Sequence, residues 1–189
     1  MARFLVSGIS ALVSDVRAVL GEHGAESVGV DDIDDVPAAC AQAGPASFNG
    51  YIQLPAMFSI TGDTAVDRVH HYFRDGVLAR FPAMSAALPT LAAGARLVFV
   101  MGVLPPPVAT EDDVAARAAL VRLLGNAARA DKQPDGLRVA VLGSASTPKE
   151  IALTALGRSP EWESLTEGFS SSSYADWRVE LLGMMQAEM

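Results

Sequence analysis

Cysteine and positive charge are what this chain has least of. Among its 189 residues there is one cysteine, Cys40, so an internal disulfide and a cysteine-rich metal site are both excluded. Histidine is almost as scarce, with three residues. Lys and Arg total 14 against 22 Asp and Glu, a net charge of −8. An acidic surface repels phosphate backbones, so no nucleic-acid partner is expected. The apolar runs are strand-sized, well short of the roughly 20 residues that a membrane-spanning helix needs, so no membrane partner is expected either. Near the start, Phe4-Leu5-Val6 after a single Arg is too short for a signal-peptide core. These absences together predict a cytoplasmic protein. What is present is apolar mass: half of the residues are hydrophobic. That suits a folded chain with one domain's core rather than a disordered one.

The apolar runs and turn signals alternate in type along the chain. Residues 3–8 (RFLVSG) read as a buried strand ending in a Ser-Gly turn. Ser10 then offers a helix cap, with Leu12, Val16, Val19 and His23 on one face and Gly21 and Gly24 as stops. Strands follow at 27–31, 48–54, 95–101 and 137–142. Helices are predicted over 36–43, 111–130 and 148–156, and a long one starts at 65, with Asp63 or Thr64 as cap and a kink at Pro82. Residues 159–173 read as a polar connector and 174–187 as an amphipathic helix. The division expected is a domain over 1–157, with 158–189 a connector and helix packed on it. Alternating strands and helices favour an α/β fold of three layers, with a parallel sheet covered on both faces.

Three stretches carry a family resemblance. They are residues 3–24, residues 76–102 with the turn Ala86-Ala87-Leu88-Pro89, and residues 113–143. In order and spacing the chain resembles the short-chain dehydrogenase/reductase superfamily. The resemblance implies a Rossmann-like fold, shortened by a strand and its helix between Asp31 and Phe48. The five remaining strands would take the order 2-1-3-4-5, which flavodoxin-like proteins share.

The resemblance also implies a site, and the residues depart from it. The turn 7–14 (SGISALVS) has Gly8 where the family has its first glycine, but Leu12 and Ser14 where two more should let the backbone approach a pyrophosphate. Gly8 and Ser10 remain the cofactor-binding candidates, with Asp31 at the end of strand two as a ribose-binding acid that would favour NAD. The plainer reading makes 7–14 a structural turn and Asp31 the start of the acidic turn 31–35 (DDIDD). The family's catalytic Tyr and Lys fall on Asp113 and Arg117, its Ser at or near Gly102 and its Asn near Gly76. A carboxylate ionised at neutral pH cannot donate the proton that a phenol would, and a guanidinium is a poor shuttle. The same residues serve a helix start: Thr110 as cap, Asp113 at the third position, and Asp113–Arg117 as an i, i+4 pair.

Elsewhere, His71 shares a helical face with Asp67 and Asp75, but one helix does not complete a metal site, and none is predicted. Cys40 reads as a buried, inert thiol. The sequence therefore predicts a catalytically degenerate protein of this fold with a binding, regulatory or subunit role. The alternatives are an NAD(P)-dependent oxidoreductase with non-standard residues and a flavodoxin-like binding module. Two apolar rows on the helix 111–130 predict a homodimer through that helix and residues 65–91.

Overall fold

A computed structural model of the chain describes residues 1–55, 61–102 and 111–158, and over 111–118 the helical backbone alone. Five strands, β1 (Arg3–Ser7), β2 (Glu26–Val30), β3 (Phe48–Gln53), β4 (Leu91–Val100) and β5 (Arg138–Leu142), form one sheet. Its order is β2-β1-β3-β4-β5, as the family resemblance implies, and every pairing is parallel.

Side chains alternate across a strand, so each strand feeds two cores. Phe4, Val6, Ile52, Val98 and Val100 pack with α1 (Ser10–Glu22) and α6 (Pro148–Ala155) on one face. Leu5, Tyr51, Leu97, Phe99 and Val139 pack on the other, against α2 (Val36–Ala43), α4 (Arg80–Ala87) and α5 (Glu111–Asp131). This is the three-layer arrangement that a parallel sheet requires. No described helix is long and apolar enough to cross a membrane.

The elements differ from their predicted form in three places. In α1 the buried stripe is Val13, Val16 and Leu20, with Leu12 and Val19 half-buried beside it and His23 at the C-cap. Ser10 is the first helical residue rather than the cap; Ile9 takes the cap position without a side-chain bond. The helix starting at residue 65 does not kink at Pro82. It runs as α3 (Ala65–His71), widens into a π-helical turn over Tyr72–Leu78, and restarts after Ala79 as α4. Pro82 falls in the first turn of α4, where no intrahelical N–H is needed. β4 begins at Leu91 rather than 95, because Leu91 pairs with Phe48 before a register shift restores pairing at Gly50–Arg96. The predicted helix over 174–187, Thr110, and the side chains of Asp113 and Arg117 lie outside the described residues.

Candidate functional site

In an open parallel sheet, ligands bind beyond the carboxyl ends of the strands, where the chain switches direction across the sheet. Here that point lies between β1 and β3. The turn after β1 is tied to both neighbours: Gly8 N donates to Val30 O at 3.0 Å and Ile9 N to Pro55 O at 2.9 Å. Leu54 N donates to Ser7 O at 2.8 Å. Gly8 has φ +139, and a Cβ there would stand 2.6 Å from Leu54 Cβ and 2.7 Å from Pro55 O. A Cβ at Gly102, at the end of β4, would stand 3.0 Å from Pro55 Cβ. Pro55 thus packs between the first turn and the end of β4.

The structure brings Gly8, Ser10 and Asp31 to this one edge. Ser10 is exposed in the first turn of α1, whose first intrahelical bond is Val13 N to Ile9 O. Asp31 is exposed and follows the Val30 carbonyl that Gly8 binds. Asp32, not Asp31, shapes the acidic turn, accepting from Asp34 N at 3.0 Å. Leu12 is half-buried against the α1–α6 core rather than turned fully into the crevice. Gly76 lies in the π-helical turn.

Sequence reasoning missed a buried polar network beneath these strand ends. Ser7 Oγ and Tyr51 Oη lie 2.8 Å apart. Gln53 Nε2 donates to Tyr51 Oη and to Arg80 O, each at 3.3 Å. Arg80 Nη2 donates to Val100 O at 3.1 Å. All four residues are buried, and Gln53 Oε1 has no hydrogen-bond partner among the described residues. Burial pushes the Tyr51 phenol up to about 12, although Ser7, Gln53 and the Arg80 charge act the other way. A hydroxyl, a phenol and a cation are the groups that carbonyl reduction uses, but this phenol is fully enclosed and held neutral. The signal in the sequence was the i, i+2 spacing of Tyr51 and Gln53, two polar side chains on the α4-facing side of β3.

His71 and Asp75 pair across one turn, and Arg74 grips the same carboxylate at 2.6 and 2.9 Å. Asp67 instead completes a capping box with Thr64. Among the described residues no group of His, Cys, Asp and Glu could hold a metal ion. Cys40 is buried, and burial raises its thiol pKa, partly offset by a hydrogen bond with Thr90.

The chain's fold is found in known structures. The fold is that of the short-chain dehydrogenases/reductases. Protein lin1944 from Listeria innocua superimposes with a TM-score of 0.59 at 15% identity, over 92% of this chain and 97% of that one. A double mutant of the Serratia marcescens short-chain dehydrogenase/reductase gives a TM-score of 0.61 at 16% identity, over 85% and 91%. BdcA, known from E. coli and solved in complex with NADPH, gives 0.56 at 17% identity, over 87% and 89%. No protein-family model matches the sequence, and no curated protein does. The short-chain dehydrogenase/reductase fold thus accommodates this chain's outline at identities where little of the sequence is shared.

Proposed function

We propose that the chain is a catalytically degenerate protein on the short-chain dehydrogenase/reductase fold, with a binding, regulatory or subunit role. The observation that carries this reading is the enclosed Ser7–Tyr51–Gln53–Arg80 network. The hydroxyl, phenol and cation at the strand ends hold one another and the chain rather than face the crevice. Leu12 and Ser14 support it from the sequence, since the fold's pyrophosphate approach relies on glycine there. The test is calorimetric titration with NADH, NADPH and FMN, beside a carbonyl-reduction assay. The reading expects no submicromolar nucleotide binding and no turnover. Submicromolar affinity for a dinucleotide, or turnover, overturns it.

A second reading is an NAD(P)-dependent oxidoreductase with non-standard residues. Gly8, the exposed first turn of α1 and Asp31 share one edge, and the similar BdcA was solved with NADPH. Tight dinucleotide binding lost in Asp31→Ala would support it. We further propose assembly as a homodimer through residues 65–91 and α5, in keeping with Val66 and Leu78, which are 77% and 47% exposed on the first of these segments.

A further inference from the structure

We propose that His71 is a proton-sensitive clasp, whose neutral ring accepts a hydrogen bond from the Thr61 backbone N–H and whose protonated ring cannot. The two ring nitrogens have different partners. Nε2 faces the Asp75 carboxylate, which can only accept, so the ring proton belongs on Nε2. Asp75 is itself fixed as an anion. The Arg74 guanidinium holds its carboxyl below the usual range, with the His71 ring acting in the same direction. With Nε2 protonated, Nδ1 presents a lone pair. That lone pair meets Thr61 N, which donates at 2.9 Å, and Thr61 Oγ1 at 3.2 Å. A backbone N–H is a donor only, so this contact exists in one protonation state. A second proton on the ring must sit on Nδ1, where it sets N–H against N–H at Thr61 N and leaves only the Thr61 hydroxyl oxygen to accept it. The same proton strengthens the pairing with Asp75, so the ring has no reason to turn away.

The surroundings leave His71 as the switchable member. On its own helix, Asp67 is taken by Thr64 at 3.1 and 2.6 Å, Arg68 donates to Gly62 O at 3.1 Å, and His70 is exposed. α5 meets this stretch with the apolar Leu120, and the Arg80 of α4 is turned into the sheet network. The Gly62 and Thr64 contacts do not depend on the His71 proton, so they persist when the Thr61 N bond is lost.

The experiment is NMR on the labelled full chain across the titration of His71. Long-range nitrogen spectra of the imidazole report the tautomer, and amide exchange reports the protection of Thr61. The neutral ring should carry its proton on Nε2. Protection at Thr61 should fall about five- to tenfold as the second proton binds, the range for one hydrogen bond. Ile151, whose amide bonds Thr147 O in a distant helix, should not change. His71→Asn places Oδ1 near the Nδ1 position and cannot titrate, so it should keep Thr61 protected throughout, whereas His70→Asn should behave as wild type. An Nδ1-protonated tautomer at neutral pH, or unchanged Thr61 protection when His71 charges, overturns the proposal. If His71→Asn does not fold, the wild-type titration decides alone.

Discussion

Gly8 is held in place by what surrounds it. With φ at +139, and with Leu54 Cβ and Pro55 O within 2.7 Å of where a Cβ would stand, there is no space for a side chain. Gly8→Ala should cost about 1–3 kcal/mol in strain alone, read as a lower urea midpoint with an unchanged slope. Tyr51 is constrained by bonding instead. Tyr51→Phe leaves Ser7 and Gln53 without their shared partner and should destabilise by about 1–3 kcal/mol. The same phenol sets an alkaline limit. Its folded pKa of about 12 lies above the ordinary value of 10, so the fold favours the protonated form. That contribution is whole below about pH 10 and is lost as pH rises toward 12, where the unfolded phenol ionises first. Urea melts at stepped pH should show stability falling across that window, and Tyr51→Phe should flatten the fall.

Helix α5 shows how far a hydrophobic pattern can be read. Its two neighbouring apolar rows are Val114, Ala118, Val121, Gly125 and Ala128, and Leu120, Leu123, Leu124 and Ala127. The structure turns the Val121–Gly125–Ala128 side onto the sheet, with Leu124 of the other row beside it. Val121, Leu124 and Ala128 are buried, and a Cβ at Gly125 would stand 2.8 Å from Val139 Cγ1. Val121→Glu puts a charge where exposure is 1% and should unfold the chain, by roughly 3 kcal/mol or more, whereas the exposed Arg122→Glu should be nearly neutral. The period of the pattern identified the helix. Which stripe the sheet would take was not written in it, because two apolar rows of similar size compete until the strands fix the helix's rotation. The same ambiguity put Leu12 in place of Val13 on α1.

The assembled molecule raises the question of its own partner. If two copies meet through residues 65–91 and α5, the exposed apolar side chains Val66 and Leu78 are the positions to charge. Val66→Glu with Leu78→Glu should convert a dimer to monomer in light scattering while leaving the subunit's unfolding free energy within about 0.5 kcal/mol, as expected for surface positions. A wild-type protein that runs as a monomer at tens of micromolar would refute the dimer.

The alternation of apolar runs with helical periods determined the fold class by itself, because parallel strands joined by helical crossovers must be covered on both faces, whereas the strand order came with the resemblance to the short-chain dehydrogenase/reductase superfamily. Gly8 was legible too, as a glycine closing a strand. The tertiary structure decided what chain separation conceals. It carried Tyr51, Gln53 and Arg80 under Ser7, and it set Pro55 against the first turn. It also widened a predicted helix into a π-helical turn and laid Thr61 on His71. Local pattern reports which residues must leave water. It does not report which buried polar groups will find one another, since those bonds form between elements far apart in the chain and depend on register and rotation that only packing sets.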